Sequence, residues 1–339
     1  MLAPWLRGRG VVFMLHHVLP NGGQAKGFAP NSSLEVTPEF LDGVIKTVKG
    51  QGYSLISLEE ATEELSRGRD GGQFAVFTLD DGYKDNFDHA WPIFRSHSCP
   101  FTVFVAPAIA DGECELWWKG LELVIAKSVH MDVELNRERF EGLIETVGQK
   151  RAMYNRIYWP LRYSPEAEQR VWIRNLCEHH QVDLDAVCRN QAMNWDQIRQ
   201  LNRDPLCTIG AHTVHHRALK KLDADAALSE VLTSRDRIAR EIGEIPQTFA
   251  YPYGDETSAD QRDFDLIKKA GFKAAVTTRK GMIFPWHKDS LTSLPRFSLN
   301  GGYQERQFTE VLLTGMPFAC FNGLQRVTGG IFIHKDKQR

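Results

Sequence analysis

The sequence predicts an α/β fold, a (β/α) barrel of about 7–8 strands carrying one helical insertion. Three observations point there. The chain's 339 residues are enough for one barrel with a large core. Short apolar runs alternate with helical periodicity from Val11 onward, the pattern of parallel strands joined by crossover helices. That rhythm breaks at Pro107 and resumes at Cys207.

Taken in order, Val11 to Leu15 is a continuous apolar run and reads as the first strand. Residues 20–33 are rich in Gly, Pro, Asn and Ser and read as loop. Thr37 then caps a helix with Pro38 at its first position and Phe40, Leu41, Val44, Ile45 and Val48 on one face. Ser54 to Ser57 is a short strand and Leu58 to Arg67 a helix. Phe74 to Leu79 packs apolar and β-branched residues into a buried strand. A helix from Tyr83 and a strand over Pro100–Ala106 follow. Helical patterns at 137–156, 166–181 and 194–203, with five tryptophans, fill the break. The alternation then returns: strand 207–211, helix 223–242, strand 248–251, helix 260–270, and strands over 272–277 and 291–297. The expected organisation is a discontinuous barrel over 1–110 and 206–300, a helical insertion over 111–205, and a C-terminal helix and tail over 301–339 packed on the barrel.

Composition narrows the function classes. Hydrophobic content of 42% and charged content of 25% are those of a globular protein. Lys and Arg total 41 against 43 for Asp and Glu, so nothing in the overall charge argues for nucleic acid. The six cysteines have no C-x-x-C pair, so free buried thiols are expected. The sequence has no run of ~20 apolar residues to span a bilayer, and its start lacks the long apolar region of a signal peptide. A cytoplasmic location, with peripheral membrane association left open, is the expectation.

Three segments carry the chemistry. In Phe74-Ala-Val-Phe-Thr-Leu-Asp-Asp-Gly82, a buried strand runs straight into two carboxylates. Unpaired carboxylates are too costly inside a core, so the pair belongs at the strand's open end, with a cation or in water. Gly82 permits a sharp turn there. In Gly210-Ala-His-Thr-Val-His-His-Arg217, His212 and His216 are four apart, which in a helical turn puts two imidazoles on one face. With one carboxylate they offer two nitrogens and one oxygen, a donor set suited to a catalytic zinc. In Phe249-Ala-Tyr-Pro-Tyr-Gly254, Pro252 and Gly254 bracket a turn that could aim a backbone amide into a pocket. Each segment alone is also the pattern of an ordinary cap, exposed loop or turn.

In this order, FTLDDG, HTVHH and YPYG resemble the NodB-homology polysaccharide deacetylases of carbohydrate esterase family 4. The resemblance covers residues 10–110 and 205–300 and implies a distorted (β/α) barrel. It implies Asp80 as catalytic base, Asp81, His212 and His216 as ligands of zinc or another divalent ion such as cobalt or nickel, and Thr213 as the brace of the histidine loop. It also implies the Tyr253 amide as an oxyanion donor. The activity implied is hydrolysis of the N-acetyl group of a sugar in a glycan or glycan precursor, releasing acetate. An N-acetylated carbohydrate is then the partner; oligomeric state is open.

Two departures stand out. The arginine that opens the family's third motif is Ala250 here; Arg296, late in the chain, could orient Asp80 in its place. The general-acid histidine has two candidates, His334 in Ile331-Phe-Ile-His334 and His16 on the first strand. His16 is the choice, because the chain's start resembles the circularly permuted branch of the family, where that histidine lies on the first strand. His17 is expected to face away. Rival readings are a non-haem iron oxygenase, which also uses two histidines and a carboxylate, and a non-catalytic glycan-binding relative. Trp117 and Trp118 could stack on sugar rings or dock on a membrane-bound partner; packing of the insertion onto the barrel is the plainer expectation.

Overall fold

The computed structural model describes residues 3–24, 27–68 and 72–327. Its centre is a closed barrel of seven parallel strands with an eighth, short strand at one edge. The strands are β1 (Gly10–Leu15), β2 (Ser54–Leu55), β3 (Phe74–Leu79) and β4 (Phe101–Val105). Past the insertion come β7 (Cys207–Ala211), β8 (Thr248–Ala250), β9 (Ala274–Lys280) and β10 (Leu294–Ser298). The order round the barrel is β1, β10, β9, β8, β7, β4, β3 and back to β1, with β2 on the edge of β3. Closure comes from β1, which pairs with both β10 and β3.

Strand parity divides the core. Val12, Phe74, Val76, Phe104, Ala250 and Val276 form one cluster, the barrel interior. Their neighbours of opposite parity, such as Val11, Phe13, Phe77, Val103 and Phe249, join the outer helices in another. That parity puts Arg296, within β10, and His16, Asp80 and His212, one residue past the ends of their strands, in line with the interior positions. The site therefore follows from the two-residue repeat of a strand.

The helices expected between strands are present. Thr37 caps Pro38–Gly50 by accepting from the Phe40 amide, and Leu58–Ser66, Ala224–Ile242 and Gln261–Lys269 lie within about a residue of their expected bounds. After β3 the helix opens with a π-helical turn over Asn86–Ala90 and continues as Trp91–Ser96.

The segment 111–205 is not wholly helical. Residues 138–143, read from sequence as part of a helix beginning at 137, are the second arm of an antiparallel hairpin, β5 (His130–Leu135) and β6 (Glu138–Leu143). Met131, Val133 and Leu135 alternate toward the core, and Asn136 and Arg137 turn the hairpin with φ of 54° and 67°. Two consecutive left-handed residues are what a two-residue hairpin turn demands, and Asn is among the residues that adopt it. The helices are α1 (Trp117–Lys127), α2 (Val147–Tyr163), α3 (Glu166–His179), α4 (Leu184–Gln191) and α5 (Trp195–Asn202). Much of this segment packs round a hydrophobic cluster of its own, which includes Trp117, Leu121, Phe140, Ile157 and Ile173.

Past β10, among the described residues, two helices, Arg306–Leu312 and Met316–Val327, carry Leu313 and Phe318 into the cluster shared with the outer helices; the rest of the expected tail, 328–339, lies outside those residues. Cys99, Cys114, Cys177, Cys188 and Cys207 are buried free thiols, and Cys320 is exposed. Among the described residues, no helix is long and apolar enough to cross a membrane.

Candidate active site

The site is assembled at the carboxyl ends of the barrel strands. Asp80 continues the inward row of β3 and is 2% exposed. Its two oxygens are held in a fork by Arg296, at 2.7 Å from Nη1 and 2.6 Å from Nη2. The fork is itself fixed, because Arg296 Nε donates to the Thr277 carbonyl and Nη1 to the Thr78 hydroxyl. Burial by itself would raise the Asp80 pKa; the adjoining Arg296 charge and its hydrogen bonds outweigh that, and the carboxyl stays below the usual range.

Asp81 sits one residue on, at φ 72°, followed by Gly82 at φ 74°. Two left-handed residues in succession swing the Asp81 carboxylate back across the barrel mouth; Gly82 takes its share without side-chain strain. There Asp81 Oδ1 lies 3.3 Å from His212 Nε2 and 3.1 Å from His216 Nε2. Residues 212–218 are a loop and not the helical turn that the four-residue spacing suggested. The histidines converge because Thr213 and His216 adopt φ of 56° and 54°. The Thr213 hydroxyl accepts from the Arg217 amide across that loop.

These three side chains fit a divalent ion. His212 Nδ1 lies 2.7 Å from the Ala250 carbonyl, which can only accept, so Nδ1 carries a proton and Nε2 is the free nitrogen. A free Nε2 beside a carboxylate oxygen opposes two lone pairs unless a cation lies between them. Asp81 Oδ1 has no hydrogen-bond partner of its own. One ligand atom from each residue falls within 4.8 Å of the others, and all three residues are buried. Bonds of about 2.0–2.2 Å to a shared zinc are compatible with such separations.

Around this centre the other expected residues take their places. His16 lines the same cleft, of about 220 Å³, with Asp80, Asp81, His212, His216 and Tyr253. Burial lowers the His16 pKa, against the opposing pull of Asp80 and Asp81. His17 turns out of that cleft, with Nδ1 2.7 Å from Asp85 Oδ2 and its ring stacked on Tyr83. Tyr253 is the centre of a tight turn closed by Gly254 N donating to the Pro252 carbonyl, with φ 62° at Tyr253. His334 lies outside the described residues. Trp117 is buried and Trp118 is 9% exposed, so both pack the insertion against the barrel, and Trp118 also lines the cleft.

Several site residues have no place in the sequence reading. Glu230 accepts the amides of Val214 and His215 and pairs with the His215 ring, bracing the histidine loop. Asp85 accepts the Val18 amide and Asn86 donates to the His16 carbonyl, fixing the turn that carries His16. Tyr158, Trp159 and Arg162 bring the insertion into the cleft wall. The Asp-Asn pair just after the acidic corner was a usable signal; Glu230 and Arg162 offered none, since each lies in an ordinary helical pattern.

Residues 178–275 match the family model for polysaccharide deacetylase, a span that contains the histidine loop and the YPYG turn. That match covers less than a third of the chain. Solved structures with the same fold include the Streptococcus pyogenes deacetylase PplD, in complex with acetate. It is 16% identical with a TM-score of 0.55, over 89% of this chain and 96% of that one. IcaB from Ammonifex degensii is 18% identical with a TM-score of 0.53, over 86% and 92%. A de-N-acetylase from Aggregatibacter actinomycetemcomitans is 14% identical with a TM-score of 0.55, over 89% and 98%. At such identities the likeness speaks to the fold of this chain and leaves its chemistry to its own residues. A comparison with curated protein sequences returns no match.

Proposed function

We propose that the chain is a metal-dependent carbohydrate N-deacetylase, hydrolysing the N-acetyl group of a sugar in a glycan or glycan precursor and releasing acetate. The observation that carries this reading is the pairing of two buried aspartates with different partners. Asp81 faces two histidine nitrogens, while Asp80, next in sequence, is held ionised by Arg296.

Asp81, His212 and His216 would hold the ion, zinc or a similar divalent metal. When bound, such an ion lowers the pKa of a coordinated water from 15.7 toward about 7 and polarises an acyl oxygen. Asp80, kept as a carboxylate by Arg296, takes the proton of the attacking water. The Tyr253 amide, set by its tight turn, donates to the oxyanion of the tetrahedral intermediate; losing one such donor typically costs ~10²–10³ in rate. His16, across the cleft, gives a proton to the departing amine, which is too poor a leaving group as an anion. His16 directly after the first strand is close to the arrangement expected of the permuted branch.

Arg296 also bears on the non-catalytic alternative. The absence of an arginine at position 250 was the one sequence feature in favour of a binding relative, and the fork on Asp80 takes that argument away. The deciding experiment couples metal analysis of the purified protein to acetate release from a panel of N-acetylated oligosaccharides and glycan precursors. Metal bound with acetate released supports the reading; binding of glycan with no acetate released overturns it.

A further inference from the structure

The barrel carries the reactive side chains, yet the loops that bear them are held from the insertion's side as well as by the barrel's own Glu230 and Thr278. After β3, the Gly82 carbonyl accepts from the Met193 amide at 3.0 Å. In the histidine loop, the His215 carbonyl accepts from Arg170 Nη2 at 3.1 Å, and the Ala218 amide donates to Glu166 at 3.0 Å. After β8, the Tyr253 hydroxyl accepts from Trp117 Nε1 at 2.7 Å, and the Arg162 guanidinium lies 3.7 Å from the centre of the Tyr253 ring. Trp117, Arg162, Glu166 and Arg170 are all buried. Tyr83, Val214 and Tyr253, one residue from each loop, belong to or pack against the insertion's hydrophobic cluster.

These same loops contain Asp81, Thr213, His216 and Tyr253, half of the eight non-glycine residues with positive φ among those described. Such conformations persist only where the surroundings over-determine them. In each of the three loops, a buried donor of the insertion reaches a strained residue or its immediate neighbour. We propose that residues 111–205 act as a splint for the catalytic loops, with Arg170 and Trp117 as its positioning residues. Arg170 sets the His215–His216 peptide and thereby the second imidazole. Trp117 sets the Tyr253 side chain and thereby the backbone amide of the same residue. Neither residue touches the reacting atoms. The Trp117 half rests on the deacetylase reading; the Arg170 half rests only on the ligand set.

The test has one arm for each. Arg170→Lys keeps a buried positive charge beside Glu166 but lacks the forked donor geometry that lets arginine also reach the Glu115 carbonyl. Co²⁺ affinity, measured on the metal-free full chain by competition with a chelator, should fall about 10-fold or more, with an altered visible spectrum of bound Co²⁺ and a melting temperature near that of the wild type. Trp117→Phe and Tyr253→Phe each remove one end of a single hydrogen bond. Each should lower kcat about 10-fold with KM changed less than 2-fold, and the double variant should lose no more than either alone. Unchanged Co²⁺ affinity in Arg170→Lys, or a double variant whose loss is the product of the single losses, overturns the splint. A wild type that binds Co²⁺ and releases no acetate sinks the deacetylase reading instead, and the Co²⁺ arm still decides the role of Arg170.

Discussion

The barrel and the insertion reach the same cleft by different physics. On the barrel side, a side chain's place is set by the two-residue repeat of its strand and by a sharp turn at the strand's end. Asp80 and Arg296 meet because β3 and β10 both flank β1 and both carry inward rows that end at the same level. On the insertion side, Trp117, Arg162 and Arg170 arrive on helices packed round a separate cluster. Their register has no fixed relation to the strands. The lesson is that the groups that react are local to short segments, whereas the groups that hold them come from far along the chain.

The comparison can be broken most severely at the ligands. Asp81→Asn or His212→Ala should abolish stoichiometric metal binding and lower kcat/KM by about 10³ or more, read by metal analysis and acetate release. Retained metal in either variant would remove the barrel side of the comparison altogether. A smaller loss is expected from Arg296→Ala, roughly 10²-fold in kcat/KM with metal still bound. Without Arg296, burial raises the Asp80 pKa, and a base must be ionised to act. The acid limb of the pH–rate profile should therefore move to higher pH, and an unmoved limb would separate Asp80 from the proton transfer.

Smaller again is Glu230→Gln, which keeps the shape of the brace on the histidine loop and weakens its charge-assisted bonds. Metal affinity should drop about 10-fold, with little change in kcat once metal is saturating. The smallest effect sharpens the contrast from the insertion's far end. Thr146 caps helix α2 through a reciprocal capping box with Gln149, away from the cleft. Thr146→Ala should cost ~1 kcal/mol in denaturant unfolding and leave kcat/KM within experimental scatter. A large loss of activity there would mean that the whole insertion, and not its buried contacts, controls the site.

Much of the barrel could be read from the chain alone, because buried parallel strands are apolar runs and their crossover helices show a 3.6-residue period. The hairpin at 130–143 was misread as helix at its second arm. Its short alternation was outweighed by the polar helical pattern that continues into α2. The spacing of His212 and His216 pointed to two imidazoles that do converge, but through the wrong backbone, since left-handed residues and not a helical turn bring them together.

By itself, then, the sequence determined the strands, the acidic corner, the histidine pair and the candidacy of Arg296. These rest on local preference and on residue types whose burial must be compensated nearby. Only the tertiary structure decided that Arg296 closes on Asp80, that Glu230 braces the histidine loop, and that Trp117 and Arg170 grip it and its neighbour from outside. Such contacts join residues from 15 to 216 positions apart, and the geometry of packing, which no local pattern records, selects them.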